Sequence, residues 1–457
     1  MRVGAAVQAR DARDLTDAIA AANANGESLE LRAGGSKSEI GYREEATQRV
    51  DVSALSEIVA YEPAELVLTA QPGAKLTDIE DLLAAERQML AFEPMDHGLL
   101  NGTRRGQATL GGVLAANASG PRRLSAGAAR DHFLGFRAVS GGGEPFKAGG
   151  RVLKNVTGFD LPKLMAGSWG SLAAFTEVTV RVMPKPDYAL TLLILGQSGS
   201  DGALSMSRAM GSPADVSGAA YFPSGSGAIL PALAEMQAPI TALRLEGFEP
   251  SVAARLTMLK SLYVNHEIVL LDPENTRAFW AGVRDVALFA ENDRPLWRIS
   301  APPMNGHAVA EALRDLSPDW FSDWAGGRVW LAISPVGSND AHAGRIHEMA
   351  KKSQGHAMLI RAPHDAHKAA IDASAPSVAF ATLSRRIKAA FDPRHVLNPG
   401  RMVQRRRISL RHNCRIRRWL RRKPSFATAC IAVSARPPVR PISCSATNAT
   451  ARAAASI

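Results

Sequence analysis

The sequence predicts an α+β protein of two domains followed by a basic tail. Three observations carry that expectation. Residues 1–187 alternate short apolar strands with amphipathic helices, punctuated by glycine turns. The composition shifts after Pro186, and residues 188–402 read as a second set of strands and helices. Residues 403–457 hold 13 of the 54 Lys and Arg and no Asp or Glu, leaving 41 basic against 43 acidic residues in the rest. The net charge of +11 is therefore a property of the tail, and the body carries no nucleic-acid signature. All three cysteines (Cys414, Cys430, Cys444) also lie in the tail. No apolar run reaches the roughly 18 residues of a membrane span. The opening "MRVGAAVQARDARDL" carries charges where a signal peptide needs its apolar core, so the expected location is cytoplasmic.

The elements follow in order. "DARDLTDAIAAANANG" places Leu15, Ala18, Ile19 and Ala22 on one helical face and stops at Gly26. "SLELR" is a strand entering a glycine loop, and "AELVLTAQPGAKL" is a strand ending at Pro72-Gly73. "TDIEDLLAAERQ" reads as a helix opened by a capping box, Thr77 with Glu80. "TEVTVRVMP" puts Val178, Val180 and Val182 on one face of a strand that ends at Pro184. In the second half, "ALTLLIL", "ITALRLEGF", "RVWLAISP" and "HAMLIRAP" read as strands. There is no short internal repeat.

The tail carries a second message. Read one base earlier with permitted wobble choices, the codons of Ala429–Ile457 give C-x2-C-x2-C-x3-C-P, the spacing of ferredoxin-type iron–sulfur ligation. The tail is therefore expected to come from a frameshift into a downstream gene for an iron–sulfur protein. Made as written, it is expected to be disordered. A basic arm for nucleic acid or membrane is the alternative.

Three small-residue loops carry the chemistry. "LRAGGSKSEIG" sets Gly34, Gly35, Ser36 and Lys37 where a strand ends, with bare backbone and a cation suited to an anion. It has neither the G-x-x-x-x-G-K-[ST] nor the G-x-G-x-x-G spacing. "GQATLGGVLAANASGPRR" (Gly106 to Arg123) and "GSWGSLAAFTE" (Gly167 to Glu177) are the others. Taken alone, they are either three structural turns or one site for a nucleotide cofactor.

"RAGGSKSEIG", "YEPAELVLTAQPGAKL", "ERQMLAFEP", "ATLGGVLAANASGPRR", "GAARDHFLGF", "RVLKNVTGFDLPKLMAGSWGSLAAFTEVTVRVMPKP", "LWRISAP" and "FDPRHVLNPGRM" occur in this order. Over residues 1–402 the chain resembles the FAD-binding E subunits of glycolate oxidase, within the vanillyl-alcohol-oxidase (PCMH-type) FAD-binding superfamily. The resemblance implies a PCMH-type, two-subdomain FAD-binding domain over 1–187 and an α+β cap over 188–402. It places Arg32, Ala33, Gly34, Gly35, Ser36 and Lys37 on the pyrophosphate loop. It places Thr109, Gly111, Gly112, Asn117 and Gly120 along the FAD. Ala174, Phe175 and Thr176 approach from the third loop, and Asn398 closes the flavin side. Two departures stand out. The family's Gly-Thr-Leu-Gly-Val-Ile-Thr is here Gly170-Ser171-Leu172-Ala173-Ala174-Phe175-Thr176, and its Gly-Tyr-Asp is Gly158-Phe159-Asp160. The first loop has no histidine, which implies non-covalent FAD.

The resemblance also implies a complex that converts glycolate to glyoxylate, with a homologous catalytic flavoprotein subunit and an iron–sulfur subunit as partners. Any contact with the membrane is expected to be peripheral. The His-x-Gly-Asp-Gly-Asn-type stretch of the related catalytic subunits is missing, and no catalytic residue is assigned. "HAGRIH" (His342 to His347) echoes it on a helix read as solvent-facing. "HDAH" (His364 to His367) reads as a metal pair or as two surface histidines, and no metal is expected. Arg298 and Arg328, each beside a tryptophan, suit a carboxylate or structural hydrogen bonds equally. Three functions remain open: an FAD-bearing subunit of the complex, a non-catalytic assembly subunit, and a self-sufficient D-2-hydroxyacid dehydrogenase.

Overall fold

The computed structural model describes residues 6–401 apart from 42–45, 103, 151–158, 224–228, 230–232, 234–236, 291, 335–338 and 375. The tail, with its cysteines and its second reading frame, and Gly158 lie outside the described residues.

The chain begins with a small parallel sheet. β1 (Val7–Gln8), β2 (Leu29–Arg32) and β3 (Gln48–Asp51) run in the order β1-β3-β2. The crossover from β1 to β2 is the helix Ala12–Asn25, which buries Leu15, Ile19 and Ala22 as its periodicity requires. The Asp11 carboxylate accepts from the Arg13 and Asp14 N–H groups at its start, and Gly26 ends it at φ 70°.

A second, antiparallel sheet faces it. β4 (Ile58–Glu62), β5 (Val67–Ala70), β6 (Gln88–Met89), β7 (Phe133–Ser140), β8 (Pro145–Gly149), β9 (Ala173–Arg181) and β10 (Met183–Pro184) follow in sequence. Five of them order as β4-β5-β9-β7-β8, while β6 and β10 pair apart. Val178, Val180 and Val182 are fully buried, as their alternation predicts. The expected helix after β5 is present at Leu76–Ala85, but the capping box is not. Lys75 is the N-cap and makes no side-chain cap, while the Thr77 hydroxyl donates to Asp78. The Leu76 N–H is satisfied by the Ala108 carbonyl of the second glycine loop, so the helix starts earlier without a side-chain cap.

The cap is one broad antiparallel sheet. β11 (Tyr188–Leu195), β12 (Gly218–Phe222), β13 (Ile240–Gly247), β14 (Ile268–Leu271), β15 (Leu296–Ser300), β16 (Asp319–Asp323), β17 (Arg328–Ala332) and β18 (His356–Arg361) order as β14-β11-β13-β12-β16-β17-β15-β18. Leu192, Tyr221, Trp297 and Leu331 pack with Met206, Val252, Val309 and Ile346, which come from helices on one face. From the other face Phe222, Phe321, Trp330 and Ile360 share a core with Leu68, Val113 and Val178 of the N-terminal half. The two halves are thus joined by apolar burial, the largest driving force available to them.

Buried charge reinforces that junction. Glu93 accepts from Arg244 Nη1 at 2.8 Å and from the Arg122 N–H at 2.5 Å. Arg122 in turn reaches Glu246 at 2.7 Å. Arg244 at full burial is strongly desolvated, yet Glu93 and Glu246 hold its guanidinium above its usual range. Glu246, drawn down mainly by Arg244 and Arg122 against its own burial, sits at about 2.

The chain finally returns to where it began. After the helix Val378–Phe391, the Leu29 N–H donates to the Val396 carbonyl and the Asn398 N–H to the Leu29 carbonyl. Residues 396–398 thereby lie along β2, and Val396 and Leu397 are buried in the core beneath the first sheet.

Candidate functional site

Between the two N-terminal sheets lies a cleft open to solvent, with about 850 Å³ of empty space. Its walls are the loop after β2 (Arg32 to Ser38), the second loop with the start of the Leu110–Ala116 helix, the first residues of β9, and Asn398 with Arg401. Of the residues singled out in the sequence, Arg32, Ala33, Gly34, Gly35, Ser36, Lys37, Thr109, Gly111, Gly112, Ala174, Phe175 and Asn398 meet here. Asn117, Gly120 and Thr176 lie outside the lining. Asn117 ends the Leu110–Ala116 helix at φ 48° and its side chain accepts from the Arg130 N–H. Gly120 is packed instead against Glu93 and the Arg284 stem, where a Cβ would come within 2.7 Å of the Glu93 carbonyl.

The glycines do something other than open the backbone to a ligand. A Cβ on Gly34 would lie 1.7 Å from the Gln107 carbonyl oxygen, and one on Gly111 2.5 Å from the Pro72 side chain. Glycine is required because the first loop presses on the second, and the second on the turn after β5. Gly35 has φ 74°, with the Arg32 guanidinium folded over it. The Thr109 hydroxyl accepts from the Gly112 N–H. Beyond the wall formed by Arg32–Gly34, Gln107 and Thr109 lies a second hollow of about 730 Å³, which carries Lys75 and Asp78.

The C-terminal motif ties these loops together. The Asn398 carboxamide accepts from the Leu31 N–H at 2.8 Å and donates to the Trp169 carbonyl at 2.8 Å, so one side chain joins the first loop's strand to the third loop. Arg401 donates to the carbonyls of Lys37, Ser38 and Ile40. Lys388 Nζ reaches the Ser171 and Leu397 carbonyls and the buried Asp392 carboxylate, which itself accepts from the Val396 and Leu397 N–H groups. Sequence reasoning singled out Asn398 but passed over Arg401, three residues on in the same "LNPGRM", and Lys388, whose partners no local pattern reveals.

The electrostatics are lopsided. Lys37 is half-buried and, among the described residues, makes a 3.3 Å contact to the Ser36 hydroxyl; desolvation pulls its ammonium down to about 8 against a weaker upward pull from Asp96. His97 is held well below its usual range, first by burial and then by Lys37, Arg298 and Arg328. Arg298, on β15, is pushed down to about 10 by burial and by Arg123. Arg328, on β17, donates to the Ser119 carbonyl and lies 3.1 Å from the Trp324 ring centre, while its Nε finds no partner. Arg123 also lies over the Trp324 ring, at 4.0 Å. Asp323 is the acid that faces Arg328 across β16 and β17. Desolvating Arg328 and crowding Lys37 and Arg298 near it is costly unless an anion completes the site.

The histidine motifs stand apart from the cleft. His347 is on the expected helix, Ala343–Lys352, but it is half-buried edge-on to Trp297 at 5.5 Å rather than solvent-facing. His367 is buried, and no group of three or more metal-ligating side chains occurs among the described residues.

Residues 3–149 match the family model described as an FAD binding domain. Glycolate oxidase subunit GlcE of Escherichia coli (strain K12) is 32% identical over 385 residues, spanning 82% of this chain and 92% of that protein. The chain belongs to the GlcE family. As a GlcE-family member it is an FAD-linked oxidoreductase subunit, with FAD as its cofactor. Glycolate oxidase subunit GlcD of Bacillus subtilis (strain 168) is 33% identical over 141 residues, 31% of this chain and 28% of that protein. Two solved structures share the fold. 4-Ethylphenol oxidase from Gulosibacter chungangensis superposes with a TM-score of 0.66 at 14% identity, covering 88% of this chain and 89% of that one. p-Cresol methylhydroxylase superposes with a TM-score of 0.65 at 14% identity, covering 87% and 88%. The GlcE-family cleft fits a dinucleotide: it is lined by loop backbone, and Lys37 brings to it a half-buried positive charge that no carboxylate among the described residues meets at ion-pair distance.

Proposed function

We propose that this chain is the FAD-bearing subunit of a complex that oxidises glycolate to glyoxylate. Electrons would leave by way of the flavin to an iron–sulfur subunit, beside a homologous GlcD-type flavoprotein, with at most peripheral contact to a membrane. The observation that carries this function is the cluster of Lys37, Arg298 and Arg328 around an uncharged His97, which runs from the cleft to the cap sheet. Lys37 and the backbone of Ala33 to Ser36 suit the pyrophosphate, with Thr109, Gly111, Gly112, Ala174, Phe175 and Asn398 around the cofactor. Bound FAD supplies the acceptor for the two electrons of a 2-hydroxy acid. Arg298 and Arg328 suit the acid's carboxylate, because a guanidinium stays charged when desolvated and offers paired donors. Trp324 and Trp330 flank Arg328 and limit its approach.

A second reading, a non-catalytic assembly subunit, is favoured by one observation. Thr109, Asn117 and Asn398 are each already engaged by protein partners. The deciding experiment is an anaerobic visible spectrum of the purified full-length chain, before and after glycolate. A flavin band that bleaches only when the GlcD-type subunit is added supports the relay role. Bleaching by glycolate alone makes this subunit the catalyst, and a chain that takes up no FAD is the assembly subunit.

A further inference from the structure

His97 is 2% exposed, and its Nδ1 finds no hydrogen-bond partner. Folded proteins seldom leave a buried polar atom unpaired without a reason. The residue is held by its backbone: the Asn101 carboxamide donates to the His97 and Ser36 carbonyls, which ties it to the loop after β2. On its other side stand the cap arginines. Arg298 pairs with Trp330 across β15 and β17, and Arg328 lies two residues before Trp330. All three side chains therefore leave the same face of the cap sheet, and Trp330 places that face against the N-terminal half.

The groups around His97 are donors. Arg328 is 5% exposed, its Nη1 donates to the Ser119 carbonyl at 2.7 Å, and its Nε is unpaired. The Trp324 ring, 3.1 Å away, fixes the plane of its guanidinium. Among the described residues, Arg298 donates only to the Met358 sulfur, at 3.3 Å, a weak acceptor. Asp323, opposite Arg328, accepts from the Trp324 N–H at 2.7 Å, and no ion pair joins either arginine to a carboxylate among the described residues. Burial, with Lys37, Arg298 and Arg328, keeps the His97 ring uncharged. Ammonium and guanidinium groups donate and cannot accept, whereas an uncharged imidazole does both. A carboxylate answers the two arginines. A hydroxyl on the next carbon then needs an acceptor, and of these four side chains His97 alone offers one. We propose that His97 is the specificity residue of the acid site: it accepts a hydrogen bond from the 2-hydroxyl of an acid whose carboxylate lies on Arg298 and Arg328. Given the acid site proposed above, on which this role rests, His97 is what separates a 2-hydroxy acid from the same acid without its hydroxyl.

The test is equilibrium dialysis of radiolabelled glycolate and acetate, which differ by that hydroxyl alone, against the FAD-loaded full-length chain. Dithionite keeps the flavin reduced, so no glycolate is oxidised and the readout is binding. Wild type should hold glycolate at least about tenfold more tightly than acetate. His97→Phe should bring glycolate down to the level of acetate and leave acetate within about twofold. His97→Asn, whose carboxamide takes the place of Nδ1, should restore most of the preference. Arg298→Leu should weaken both acids at least about tenfold and leave their ratio unchanged. Equal wild-type binding of the two acids, or a preference that survives His97→Phe, overturns the role of His97 alone. The comparison of the two acids in wild type needs no variant to fold. A flavin-loaded wild type that binds neither acid overturns the placement of the acid on this chain, and the role of His97 with it.

Discussion

Replacing Lys37 by Met should make the cofactor-free protein more stable and its FAD weaker. The two signs together identify what the lysine is for. Burial lowers the Lys37 ammonium from 10.5 to about 8. At about 1.4 kcal/mol per pH unit, that is roughly 3 kcal/mol of unfavourable free energy while the charge is present. A lysine with a depressed folded value carries this penalty in full below about pH 8. It sheds the penalty as pH rises toward the unfolded value of 10.5. Urea unfolding of the FAD-stripped protein should therefore show the Met variant more stable by about 3 kcal/mol at pH 7, a difference that closes by about pH 10.5. With FAD the sign reverses. A charge-assisted bond to the pyrophosphate is worth about 1.5–3 kcal/mol, so quenching of flavin fluorescence should show affinity about 10- to 150-fold lower in the variant at pH 7. Wild-type affinity should fall as pH rises through 8, whereas the variant's should not. A Lys37→Met protein that is less stable and binds FAD as tightly as wild type would refute the reasoning and make Lys37 a structural residue.

The remaining expectations concern the loops and the junction. Gly34→Ala should cost more than about 3 kcal/mol in thermal or urea unfolding, because its Cβ meets the Gln107 carbonyl; Gly344→Ala, on a helix with nothing within 4 Å, should instead stabilise by about 0.5–1 kcal/mol. Asn398→Ala strips partners from the Leu31 N–H and the Trp169 carbonyl and should cost about 2–5 kcal/mol, with loss of FAD retention on gel filtration. Glu246, lowered from 4.5 to about 2, contributes stability that is present above pH 4.5 and lost as pH falls toward 2. Glu246→Gln should therefore lower stability at pH 7 by about 3–5 kcal/mol while shallowing the acid limb of the unfolding-versus-pH curve.

Much of this molecule is written locally. The first helix, the Val178–Val182 strand and the cap strands follow from periodicity, because each buries one face against a sheet or core. The glycine loops were equally visible, as were most residues that line the cleft. What the loops need glycine for was not, since the carbonyl against Gly34 belongs to Gln107, far along the chain. The same limit explains the absent capping box at Thr77, whose task is done by the Ala108 carbonyl. Arg122, Arg244, Glu93 and Glu246 carry no pattern at all. They become partners only when β13 is laid beside the N-terminal half, and hydrogen bonds of that range leave no trace in a short window.

The return of the chain to β2 sets a timetable for the newborn protein. Leu31 and Asn398 are 367 residues apart, and the bond between them closes one wall of the cofactor cleft. At roughly 5–20 residues per second, a ribosome needs roughly 20–70 seconds to travel from one to the other. The N-terminal lobe must wait that long with an unpaired strand edge and an unfinished cleft. FAD should therefore be captured only once residue 401 has cleared the exit tunnel, and ribosome-bound chains stalled before Val396 should carry no flavin.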